Sequence, residues 1–160
     1  MIKLKNFDEI SQKPKAVTIG NFDGVHKGHR ALIEHTIKTA KSNDMDSVVL
    51  TFDAFPNEIF QKQGFQRLYS NEYKESLIEL LNLDILLSLD FNLLKDFTAE
   101  RFCKEVLIQR LNTKYLIVGK DFKFGKNKLG DIDYLKEYDK EKYFDLIIPK
   151  HESYKKKIIS

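Results

Sequence analysis

At 160 residues, with 42% hydrophobic and 32% charged residues and a net charge of +3, the chain has the profile of one ordinary globular domain. That profile excludes a disordered tail, a coiled coil or a strongly basic nucleic-acid binder. A single cysteine, Cys103, excludes an internal disulfide and a multi-cysteine zinc site, and it suits a reducing, cytoplasmic compartment. The N-terminus lacks the apolar core of a signal peptide and no run approaches the ~20 apolar residues of a membrane span, so the expected partners are small molecules, with no nucleic acid and no membrane.

In chain order, the β-branched run Lys15 to Gly20 predicts a strand, and it leads through a Gly- and His-containing turn into helical spacing from Arg30 to Ala40. Ser47 to Asp53 reads as a second strand, followed by an irregular stretch from Ala54 to Tyr69. Ser70 is expected to cap a helix carrying Leu77, Ile78, Leu80 and Leu81. Asp84 to Leu89 reads as a third strand. Thr98 opens a helix with Phe102, Cys103, Val106, Leu107 and Leu111 on one stripe. Tyr115 to Gly119 reads as a fourth strand, Asp121 to Gly130 (DFKFGKNKLG) as a glycine-bounded loop, Asp131 to Tyr138 as a short helix and Leu146 to Ile148 as a fifth strand. Alternating elements of this kind predict an α/β, Rossmann-like open parallel sheet of about five strands with helices on both faces, in one domain.

Ligands of open parallel sheets bind beyond the carboxyl ends of the strands, so the loop after the first of these strands is the first place to look. It reads Gly20-Asn-Phe-Asp-Gly-Val-His-Lys-Gly-His29. Its glycines, Gly20, Gly24 and Gly28, permit sharp turning, and the helix that follows offers unpaired N–H groups and a positive dipole end to an anion. His26 and His29, in H-x-G-H spacing, can aim two imidazoles at one phosphate, which is what phosphoryl or nucleotidyl transfer needs as charge builds on the non-bridging oxygens. The spacing matches neither a P-loop nor a dinucleotide fingerprint. Zinc bound by the two histidines has no third ligand nearby in sequence.

The segment TIGNFDGVHKGH resembles the nucleotide-binding signature of the cytidylyltransferase-like superfamily. The form G-x-F-D-G-V-H-x-G-H, then TFD with a proline shortly after, then VGKDFKFG, is similar to the FMN adenylyltransferase domain of prokaryotic FAD synthetases, over roughly Val17 to Ser160. The resemblance implies adenylyl transfer from ATP to FMN, with Mg²⁺ bridging phosphates. It implies that His26 and His29 contact the ATP phosphates, with Gly20, Phe22, Asp23, Gly24 and Gly28 shaping the turn. Asp23 has a second reading as a turn or helix-capping residue. Gly119, Asp121 and Phe124 would border the nucleotide, although Phe122 and Phe124 read more often as core than as ligand-stacking. Thr51, Asp53, Phe55 and Pro56 would lie beside the flavin.

The sequence departs from the family in two places. Ala54 and Phe55 stand where FDPHP-like wording is usual, which removes a histidine from that loop. The family also continues from a position matching Ser160 into a Ser/Thr run and an arginine that close over the phosphates, and a riboflavin kinase domain commonly follows. The 160 residues are then either a piece of a bifunctional parent chain or a short member lacking one arm of its site. Blander readings apply elsewhere: Cys103 as a small core residue, His35 on an exposed helix face, His151 in a polar stretch, and Lys155, Lys156 and Lys157 in a solvated tail.

Overall fold

A computed structural model describes residues 1–22, 27–53 and 71–150. Six strands, β1 (Ile2–Leu4), β2 (Lys15–Ile19), β3 (Asp46–Phe52), β4 (Ile85–Leu89), β5 (Thr113–Ile117) and β6 (Asp145–Ile147), form one sheet in the order β1-β4-β3-β2-β5-β6. Every neighbouring pair is parallel. All five residues of β2 and of β4 are buried, as are the middle five of β3, which is why these strands read as continuous apolar runs and not as alternating ones.

Strand alternation divides the apolar residues between two layers. Val17, Ile19, Val48, Leu50, Ile85, Leu87 and Leu116 face one core with Phe102, Val106, Leu107 and Leu135. Val49 and Leu86 face the other, with Ile33 and Ile78. The second layer is formed by α1 (Lys27–Ser42) and α2 (Asn71–Glu79). The first is covered by α3, which begins as an α-helix over Ala99–Arg101 and widens to a π-helix over Phe102–Arg110, and by α4 (Ile132–Lys140). Helices therefore lie on both faces, as expected.

Thr98 and Asp131, where helices were expected to begin, both act as N-caps. Thr98 Oγ1 accepts from Arg101 N at 3.1 Å and Asp131 Oδ1 from Tyr134 N at 2.9 Å, each relieving an orphan amide of a first turn. The stripe of Phe102, Val106 and Leu111 advances by four and then five residues; Leu111 N donates to Val106 O at 3.0 Å, the i to i−5 closure of a π-turn. Ser70 lies outside the described residues.

The sheet has six strands, not five. β1 runs parallel to β4 at the sheet edge, with Ile2 opposite Ile85. Three residues are too few to display a period, and Ile2 itself is exposed, so no sequence pattern marks this strand.

The chain moves outward from β2 to β3 and β4, then returns across the sheet to place β5 on the other side of β2. Strand order therefore reverses between β2 and β5. At such a switch point the flanking loops diverge and leave a crevice at the carboxyl ends. Gly20 follows β2 at that end, and Gly119 follows shortly after β5.

Candidate active site at the switch point

Gly20 leaves the sheet with its amide still bonded to Leu50 O at 3.1 Å. Phe22, two residues on, has φ of 52° and is buried, a left-handed conformation that a bulky side chain adopts only when its surroundings hold it there. Its ring folds back over Gly20. A Cβ built on Gly20 would stand 3.1 Å from Phe22 Cζ. The absent side chain at Gly20 thus makes room for this ring.

The Phe22 ring also packs against His29. The two rings meet edge to face, with centroids 5.2 Å apart and planes at 84°. His29 stands in the first turn of α1, which contains no acidic residue and begins on Lys27. A positive dipole end and adjacent basic groups make that turn receptive to an anion. The other candidate residues of this loop, Asp23, Gly24 and His26, lie outside the described residues.

At the end of β3, Thr51 is fully buried, and its hydroxyl donates to Asn21 O at 3.1 Å. It braces the loop from beneath instead of lining its outer surface. Asp53 is engaged by Lys5, whose Nζ lies 3.1 Å from Asp53 Oδ1 and 3.4 Å from Glu75 Oε2 on α2. Burial acts to lower the Lys5 pKa, but hydrogen bonding and charge from Asp53, joined by Glu75, outweigh it and leave that pKa raised. Phe55 and Pro56 lie outside the described residues.

Across the crevice, a Cβ on Gly119 would meet nothing nearer than Leu32 Cδ1 at 4.0 Å, so the space against this backbone is open. Asp121 is exposed beside it. Phe124 has the other of its two sequence readings: it is 8% exposed and packs against Phe122, Phe102 and Tyr134 with centroids 5.4, 5.5 and 6.1 Å away. A ring so enclosed supplies packing, in keeping with the core reading. A cavity of about 270 Å³ lies elsewhere, between α3 and α4, and none of the candidate residues lines it.

The profile of the FAD synthetase family matches residues 8–160. The chain belongs to the FAD synthetase family. It is 39% identical over 157 residues to the bifunctional riboflavin kinase/FMN adenylyltransferase of Buchnera aphidicola subsp. Schizaphis graminum, covering 97% of this chain and 50% of that protein. Against the bifunctional riboflavin kinase/FMN adenylyltransferase of Escherichia coli K12 it is 32% identical over 145 residues, 89% of this chain and 46% of that one. A solved structure described as a macrolide-efflux protein from Streptococcus pneumoniae superposes with a TM-score of 0.73 at 29% identity, covering 92% of this chain and 49% of that chain. The chain spans about half the length of the curated relatives it matches.

Within this FAD synthetase domain, one site feature went unread in the sequence. Lys74, on α2, is 2% exposed, and its Nζ lies 3.1 Å from Asn21 O, 3.1 Å from Thr51 Oγ1 and 3.3 Å from Phe52 O. The available signal was its spacing: four residues before Ile78, it shares that residue's core-facing side of the helix. Other readings hold. Cys103 is fully buried and His35 is exposed, while His151, Lys155, Lys156, Lys157 and Ser160 lie outside the described residues. Among the described residues, no helix is long and apolar enough to cross a membrane.

Proposed function

We propose that this chain transfers the adenylyl group of ATP to FMN, giving FAD and pyrophosphate. The observation that carries the reading is the Gly20, Phe22 and His29 arrangement at the strand-order reversal, in a member of the FAD synthetase family. A phosphate oxygen of FMN would form the new bond to the α-phosphorus of ATP as the bond to the β-phosphate oxygen breaks. That oxygen is already ionised at neutral pH, so no strong general base is required, and catalysis rests on positioning and charge stabilisation.

In this reading His29 donates toward the phosphates from the first turn of α1, and the amides of that turn help to hold them. His26 would act from the same loop, with Asp23, Gly24 and Gly28 shaping it. Gly119 and Asp121 would border the nucleotide, and the end of β3 near Asp53, with Phe55 and Pro56, would face the flavin. Mg²⁺ would offset the charge of the phosphates. Among the described residues no group of three or more His, Cys, Asp or Glu is placed to hold a metal ion, so we assign it to the ATP phosphates, as is usual for this hydrated cation. Ser160 would stand at the start of the closing arm.

The test is incubation of the chain with ATP, Mg²⁺ and FMN, following FAD and pyrophosphate by chromatography, with riboflavin replacing FMN as control. FAD formed from FMN alone is the expected result. Absence of FAD, with or without the sequence that follows Ser160 in a longer parent, would overturn the proposal. A riboflavin kinase domain as partner in such a parent is part of the same proposal.

A further inference from the structure

We infer that Lys74 is a positioning residue for the nucleotide loop, a charged strut that holds the carboxyl ends of β2 and β3 together and, through Asn21, sets the place of Phe22 and His29. The inference rests on the adenylyl-transfer reading for its activity test, but its geometry stands independently.

Donor counting favours a charged ammonium. Two of the Lys74 partners, Asn21 O at 3.1 Å and Phe52 O at 3.3 Å, are carbonyl oxygens and only accept. Another, Thr51 Oγ1 at 3.1 Å, already gives its own proton to Asn21 O. It must therefore receive one from Lys74. Three acceptors call for three N–H groups, which an ammonium has and a neutral amine lacks. A buried side chain, 2% exposed, thus keeps its charge by solvating it with backbone and hydroxyl oxygens.

The three oxygens belong to two different segments. Thr51 and Phe52 end β3, whereas Asn21 lies in the loop after β2. Asn21 is exposed as a residue, yet its carbonyl is drawn inward by two donors, Lys74 Nζ and Thr51 Oγ1. Fixing that carbonyl fixes the peptide plane between Asn21 and Phe22. The chain then enters Phe22 at φ of 52°, and its ring closes over Gly20 and meets His29 at 5.2 Å. Lys74 acts on the loop through Asn21, without being required to touch substrate.

A merely structural role predicts something different. Such a role predicts that K74M loses fold stability, because buried acceptors lose their donor, while nucleotide handling by the folded protein is untouched. The test uses K74M, T51V and the double variant, each checked for a cooperative melt. Expected for folded K74M is a loss of roughly 10- to 100-fold in kcat/KM for ATP, mostly in kcat, because displacement of a transition-state contact acts there. T51V should lose about threefold or more, and the double variant should fall short of the product of the two, since both donors act on one carbonyl. Hydrogen exchange supplies a readout independent of activity: the amides of Phe22 and of the first turn of α1 should exchange faster in K74M.

Folded K74M with kcat/KM within twofold of wild type and unchanged exchange would overturn the inference. If K74M does not fold, T51V decides it on the same two measurements. If the wild-type chain makes no FAD, the adenylyl-transfer reading fails, and the exchange comparison alone judges Lys74.

Discussion

The rings of Phe22 and His29 meet edge to face, 5.2 Å apart at 84°, with no side chain between Phe22 and the Gly20 backbone. An imidazole packed against that ring has its orientation restricted, which suits its proposed role toward the phosphates. H29A should therefore lower kcat of adenylyl transfer by about 10²- to 10³-fold with a smaller change in KM for ATP, measured by steady-state kinetics. F22L, which keeps an apolar group but not the ring edge, should lower kcat in the same direction by a smaller factor. Wild-type kcat in H29A would remove the histidine from the mechanism.

Two glycines lie under aromatic rings, and each gives a prediction. In G20A the new Cβ stands 3.1 Å from Phe22 Cζ. The ring has to shift by a few tenths of an ångström, so activity should fall more than stability does. In G130A the Cβ would lie 2.6 Å from Phe124 Cζ, inside a packed aromatic cluster. Overpacking there should cost about 1–3 kcal/mol, read as a lower urea midpoint with unchanged slope.

At the opposite end of the sheet, Ser47 and Asp84 bond reciprocally. Ser47 N and Oγ donate to Asp84 Oδ2 at 2.9 and 3.1 Å, while Asp84 N donates to Ser47 Oγ at 3.0 Å. S47A removes one donor to the carboxylate and the acceptor of the Asp84 amide, so it should cost about 1–3 kcal/mol in denaturant unfolding. In a cycle with D84N the two losses should be strongly non-additive. Additive losses would mean that the pair is not coupled.

Burial pushes the Cys103 thiol from its ordinary 9.0 to about 12. Iodoacetamide at pH 8 should leave the folded protein unmodified and label it rapidly in urea, because the thiolate is the nucleophile. Below pH 9.0 the thiol is protonated in both folded and unfolded chains. Above it the unfolded chain loses its proton first, so the contribution of this group to stability falls as pH rises from 9.0 toward 12. C103A should flatten that part of the pH profile.

The long elements were legible because each is buried in its own manner. Strands β2 to β5 announce themselves as short apolar runs, and Thr98 and Asp131 mark helix starts through hydrogen bonds that close within three residues. β1 was not legible: a three-residue edge strand owes its existence to the free edge of β4. Phe124 was ambiguous for a related reason. An aromatic residue in a glycine-bounded loop suits a stacking face and a core position alike, and only its closure against Phe102, Phe122 and Tyr134 distinguishes them.

By itself the sequence determined the parallel α/β class and the family, since both depend on residues close together along the chain. The tertiary structure alone decided that β5 returns beside β2 to open the crevice, and that Gly20 serves the ring of Phe22. It also decided that Lys74, 53 residues from Asn21, delivers its charge beneath that loop. These last relationships are contacts between distant segments, and they exist only once burial has brought the segments together and left a buried ammonium and a turned-in carbonyl to satisfy one another.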